Sequence, residues 1–299
     1  MIHLNNIRYI MFGGGGFKGI CHIGVWSMIN IYYTFRQQKT LYNQINGFGG
    51  TSIGAFMSLL CLFNVPFDDI LVYFRLIHQH IIPDPCFQNN KYQLLSKEPL
   101  KLILYEIVKK WGKVPNPETC TFAQLYDIIP KQLHVGVCNV IKRSHVFLGT
   151  CTTPDYNVCQ SIIASMSVPF IFSPEKIGPY LFVDGGIIDN NYCYLYPPEQ
   201  ILTIHFSEIL ANYKNSDSNT ITSSYLQPIN FRDYIFQVLN IPMYYIERQN
   251  TNSLTVIQKQ NTINIPVYGF ILDFKITRQK ENELLWLGVV HGIYLFIKK

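Results

Sequence analysis

The chain is expected to fold as an α/β protein: a three-layer α/β/α sandwich around a mostly parallel central sheet. Three observations predict this. Arg8 to Phe12, a glycine-rich loop and the apolar stretch Ile20 to Phe35 read as strand, turn and helix. Ile45 to Phe48, the turn through Gly54, and Ala55 to Phe63 then repeat that order. Further strand-length runs, Leu133 to Val140, Tyr180 to Val183 and Ile201 to Phe206, follow, the first two separated by a helical stretch. Strands that alternate with helices favour a sheet covered on both faces.

Composition narrows the class. With 299 residues, 48% of them hydrophobic, the chain can bury a sizeable core. Charged residues are only 14%, which excludes a disordered chain. The net charge of +5 is spread without a dense Lys/Arg run. It argues against nucleic acid; an ordinary mildly basic protein is the plainer reading, and weak attraction to an anionic lipid surface the functional one. The eight cysteines form no C-x-x-C pair and no zinc spacing. Reduced thiols and a cytoplasmic location are expected, compatible with peripheral contact with membranes. Met1 to Phe12 lacks the marks of a signal peptide, and Leu284 to Ile297, the longest apolar run, is too short to span a bilayer.

Along the chain, Pro66 to Trp111 reads as mostly helical, interrupted near Pro83-Asp84-Pro85. Leu100, Ile103, Leu104, Ile107 and Val108 form the apolar side of a helix over Lys97 to Lys110. Leu133 to Val140 and His145 to Thr150 read as two strands, and Asn157 to Met166 as a helix ended before Pro169. Asn212 to Ser224, rich in Asn, Ser and Thr, reads as a mobile loop. Phe231 to Arg248 is expected to be helical, Ile263 to Phe274 strand-like, and Arg278 to Ile297 helical.

The stretch Gly50-Thr51-Ser52-Ile53-Gly54 fits G-x-S-x-G between a strand and a helix, either a nucleophile elbow or a glycine-rich turn with a capping serine. A serine at such a tip is held in a strained turn so that its Oγ stands clear. A Cβ at either flanking glycine would collide across the turn. The helix that follows points free N–H groups and its positive dipole end at the serine.

Gly14-Gly15-Gly16-Phe17-Lys18-Gly19 fits G-x-G-x-x-G, but the first acidic residue of the chain is Asp68, too late to hold a ribose. Lys18 precedes Gly19 and no Ser or Thr follows, so a phosphate loop also fails. Consecutive glycines leave backbone N–H groups bare, which suits an oxyanion hole; a flexible turn is the plain alternative. Ser52 needs a base. His205 alternates within a strand and His291 lies in an apolar helix, so neither makes a convincing triad. Asp184, just after a strand and before Gly185-Gly186, is the better partner; Asp189 is its rival.

Four blocks in order resemble the patatin-like phospholipases. They are the Gly14 to Gly19 loop, the Gly50 to Gly54 elbow, Ala164-Ser165-Met166-Ser167-Val168-Pro169, and Asp184-Gly185-Gly186. Thr121-Phe122 to Leu125 is similar to a further family segment, and Asn190-Asn191 is followed by Tyr192 where the family often has Pro. The resemblance covers about Ile7 to Tyr196 and implies a domain over 7–196, with 197–299 packing on it or completing it. It implies a lipid acyl hydrolase that uses a Ser52–Asp184 dyad, without histidine, cofactor or metal. The oxyanion hole would come from backbone N–H groups of Gly14, Gly15, Gly16 and Ile53. Lys18, Gly19, Gly50, Gly54, Gly185 and Gly186 would support the motifs. The substrate would be a phospholipid or another acyl lipid. A triad esterase and a silent lipid-binding protein are the alternatives. Ile77 to Trp111, with Ile81, Ile82 and Phe87 beside Lys91 and Lys97, is either a lipid-facing mouth or an ordinary helical insertion packed on the sheet.

Overall fold

The computed structural model describes residues 4–37, 40–79, 95–190, 194–208, 231–267 and 277–297. In chain order the elements are β1 (Tyr9–Phe12), α1 (Ile20–Gln37), α2 (Leu41–Gln44), β2 (Gly47–Thr51), α3 (Ile53–Leu62) and α4 (Phe67–Gln79). Next come α5 (Glu98–Lys110), α6 (Phe122–Ile128), β3 (Gln132–Asn139), β4 (Ser144–Gly149), α7 (Val158–Ser165), β5 (Glu175–Ile177) and β6 (Tyr180–Asp184). The chain closes with β7 (Ile201–Glu208), α8 (Phe231–Ser253), α9 (Val256–Gln260), β8 (Thr262–Val267) and α10 (Arg278–Ile297).

The strands form one mixed sheet in the order β5-β6-β3-β2-β1-β7-β8, with β4 paired to β3. From β3 through to β8 every pair is parallel, as the alternation of strands and helices predicts. The strands β4, β5 and β6 run antiparallel to their neighbours at one end. β4 covers one edge of β3 along residues 134–139. Both β2 and β6 must therefore use the opposite edge. β2 pairs with residues 132–136 and β6 with 137–139, so the two strands approach from opposite directions and abut end to end. Thr51 stands opposite Gly136 and Asp184 opposite Val137.

The helices follow from local signals. All ten residues of α3 are buried against the sheet. The five apolar residues expected on one side of α5 are the buried ones. Asn157 caps α7, its Oδ1 accepting from Gln160 N at 2.8 Å. Three short helices, α2, α6 and α9, and the three-residue β5 were not expected. Two of them had a readable signal: Thr121 with Gln124, and Thr255 with Gln258, form capping boxes at the starts of α6 and α9. α8 runs five residues past its expected end and carries Pro242 in its interior. α1 packs on α10 so closely that a Cβ on Gly288 would lie 2.1 Å from Cys21 O. The core is built on fully buried Phe12, Phe48, Phe56, Phe122 and Phe182.

Some expectations fall outside the described residues: the loop at 212–224, the end of the strand-like run beyond 267, and Ile81, Ile82, Phe87 and Lys91 of the candidate mouth. Lys97, named beside that surface, pairs with Glu175 and donates to Ser173 O at 3.0 Å. It ties the start of α5 to β5. Among the described residues no helix is long and apolar enough to cross a membrane.

Candidate active site

Ser52 sits between β2 and α3 with φ 55° and ψ −127°, a conformation costly for a residue with a side chain. The flanking glycines make the turn possible. A Cβ on Gly50 would lie 2.4 Å from the backbone of Gly54, and one on Gly54 would lie 2.0 Å from Phe12 O. Nothing larger than hydrogen fits at either place without moving backbone.

The meeting of β2 and β6 on β3 brings Ser52 to Asp184. Asp184 accepts a hydrogen bond from Gly186 N at 2.8 Å to Oδ1, and the Ser52 hydroxyl is near enough to favour its ionised form. Asp184 is only 4% exposed. Burial pushes its carboxyl up to about 7, against the pull of the nearby Ser52 hydroxyl and the Gly186 N–H. No histidine is among the groups that shift it. His291 lies on α10 with Nδ1 against Leu287 O at 2.9 Å. His205 is a buried β7 residue whose Nδ1 lies 2.9 Å from where a Gly13 Cβ would stand. Asp189, the rival acid, accepts from Tyr194 Oη at 2.8 Å and from Asn250 Nδ2 at 3.1 Å.

The C-terminal end of α7 and the residues just after it brace both residues, a role that sequence reasoning did not assign. Ser52 N donates to Ser165 Oγ at 2.8 Å, and Ser165 Oγ donates on to Gly136 O at 2.6 Å. Two residues later, Ser167 O accepts from Asp184 N at 2.9 Å. One short stretch thus fixes the backbone at Ser52 and at Asp184. Ser165→Ala would leave the buried Ser52 N–H and Gly136 carbonyl without this partner. It is expected to destabilise the protein by about 1–3 kcal/mol, read as a lower urea midpoint with an unchanged slope.

The glycine loop lies against the same turn. A Cβ on Gly14 would meet Ser52 Cβ at 3.3 Å, and one on Gly15 would enter the Phe206 ring at 2.5 Å. Gly16 has φ 56°. The Gly14 N–H, expected to serve an oxyanion, is instead donated to Asn190 Oδ1 at 3.1 Å. Among the described residues no hydrogen bond engages the N–H groups of Gly15, Gly16 or Ile53. Lys18 is buried at 5% exposure, and a Cβ on Gly19 would strike Ile53 at 2.6 Å. Gly185 lies over β3, where a Cβ would be 2.7 Å from Gly136 O, and one on Gly186 would be 3.1 Å from Asp184 Oδ1.

A family model for patatin-like phospholipases matches residues 10–194, well over half of the chain. The chain belongs to the patatin-like phospholipase family. It is also similar to the probable lipid hydrolase 463L of Invertebrate iridescent virus 6, with 25% identity over 247 residues, 79% of this chain and 77% of that protein. The patatin-like fold is seen as well in VipD from Legionella pneumophila, with a TM-score of 0.65 and 15% identity over 97% of this chain. The chain spans 66% of the length of VipD. As a patatin-like protein it places the elbow, the Asp-Gly-Gly box and the glycine loop within its family-matched residues.

Proposed function

We propose that this patatin-like protein is a lipid acyl hydrolase of the phospholipase A or lysophospholipase type that works through Ser52 and Asp184. The observation that carries this reading is the convergence of Ser52, strained at its elbow, on Asp184, a buried carboxyl pushed up to about 7, at the abutting ends of β2 and β6. An ordinary carboxylate is a weak base for a hydroxyl, and burial brings Asp184 into the range where a general base works at neutral pH.

Ser52 Oγ attacks the ester carbonyl carbon as its proton passes to Asp184. The negative charge moves onto the carbonyl oxygen, where N–H groups of Gly15, Gly16 and Ile53 would meet it. Collapse breaks the ester C–O bond, and the leaving alkoxide takes the proton from Asp184. Water then attacks the acyl-serine, giving its proton to Asp184. Release of the fatty acid returns that proton to Ser52. No step requires a metal. Substrate presented in an aggregate would meet a mildly basic protein, which favours anionic surfaces. A relative described as a probable lipid hydrolase supports the substrate class.

The test is exposure of the purified chain to phospholipids, lysophospholipids and neutral glycerides, with fatty acid release followed by mass spectrometry. In parallel, a fluorophosphonate probe is applied and the adduct mapped. Fatty acid release together with an adduct on the Ser52 peptide is expected. Absence of both would refute the reading and leave the silent lipid-binding alternative.

A further inference from the structure

We infer that Asn190 is a positioning residue for the oxyanion loop; this rests on the hydrolase reading above. Its carboxamide is wedged where three parts of the site meet. Oδ1 accepts the Gly14 N–H at 3.1 Å, across 176 residues of sequence. A Cβ on Gly14 would lie 2.8 Å from that oxygen, and one on Gly186 would lie 3.0 Å from it and 3.4 Å from Nδ2. The same Gly186 position is 3.1 Å from Asp184 Oδ1. Asn190 therefore joins the glycine loop to the turn that follows Asp184.

The loop needs such a tether. Gly13 to Gly16 are four consecutive glycines, each free to populate conformations that other residues avoid. An oxyanion hole works because its donors are already aimed before charge develops. Gly13 is fixed at one end, its N–H donating to Ile204 O at 2.8 Å. The Asn190 bond fixes the next peptide. With Gly13 and Gly14 both held, the following N–H groups, of Gly15 and Gly16, have little freedom to turn away from Ser52. The anchor itself is steadied, because neighbouring Asp189 is held by Tyr194 and by Asn250 of α8. Asn190 touches no reacting atom in this scheme and acts through the loop.

The test compares Asn190→Ala with Asn190→Asp, which keeps an acceptor oxygen of the same reach. Two readouts are taken. Hydrogen exchange of the peptide covering Gly13 to Gly19 reports the tether without reference to activity. Its exchange is expected to quicken about tenfold or more in Asn190→Ala and to stay near wild type in Asn190→Asp. Steady-state kinetics, each variant measured on the plateau of its own pH profile, report the consequence. In Asn190→Ala, kcat is expected to fall by about 100-fold, at the low end of the range for loss of one oxyanion donor, with KM nearly unchanged. Asn190→Asp should recover most of kcat. Unchanged exchange in Asn190→Ala overturns the tether. Quickened exchange with kcat intact in an active enzyme overturns its catalytic consequence. A wild type that is tethered yet releases no fatty acid refutes the hydrolase reading instead.

Discussion

Ser52→Ala and Asp184→Asn are each expected to lower ester hydrolysis by roughly 10⁴-fold or more, and the double variant should be little worse than either alone. The reason is that both side chains act on one proton. Without the hydroxyl there is no nucleophile, and a base beside an alanine has nothing to receive. Without the carboxylate, an asparagine can still hydrogen-bond Ser52 but cannot take its proton. Assays of the three variants on a single lipid, with folding checked by circular dichroism, decide the matter. Multiplicative losses would mean that the two residues contribute independently, and an active Asp184→Asn would reject the dyad. The fluorophosphonate adduct separates the roles further. It should vanish in Ser52→Ala and form slowly in Asp184→Asn, because the serine remains but is no longer activated.

How much of this was legible beforehand differs by element. The elbow was readable because its requirements are local. Gly50 and Gly54 lie two residues from Ser52, and the clash a Cβ would cause is with backbone of the same turn or the adjoining strand. The buried stripe of α5 was readable from its spacing alone. The end-to-end meeting of β2 and β6 was not. It depends on both strands choosing the same edge of β3, which β4 decides by occupying the other. The braces were hidden for the same reason. Ser165 reaches Ser52 across 113 residues and Asn190 reaches Gly14 across 176, and neither has a local pattern that states its partner. Asn190 in particular reads as an ordinary turn residue, since Asn is common in turns for its own backbone preferences. The shift of Asp184 was foreseeable only as a need. A carboxyl base for a hydroxyl calls for a desolvated site, and how deep that burial goes is set by packing across the sheet.

That burial gives opposite pH dependences for activity and for stability. Asp184 must be ionised to accept the Ser52 proton, and its carboxyl titrates at about 7. Below that value kcat/KM should fall about tenfold per pH unit, reaching roughly a hundredth of its plateau two units lower. Stability runs the other way. The folded carboxyl holds its proton up to about 7, whereas the ordinary value is 3.8. Between these values the unfolded chain releases a proton that the native state keeps, so the Asp184 contribution to stability is lost as pH rises. The loss is complete above the folded pKa and amounts to about 4 kcal/mol. Two buried histidines act in the opposite sense. Burial lowers His22 to about 3 and His134 to about 4, so their contributions are lost as pH falls below the ordinary histidine value. A stability profile of the wild type alone therefore mixes the two trends. The difference between Asp184→Asn and wild type cancels the histidines. Asp184→Asn is expected to be the more stable protein at pH 8, by up to about 4 kcal/mol, and to lose that advantage near pH 4. Urea unfolding of both proteins at the two pH values measures it. An advantage that is the same at both pH values would mean that Asp184 titrates normally, and the acid limb of the rate profile would then have to belong to another group.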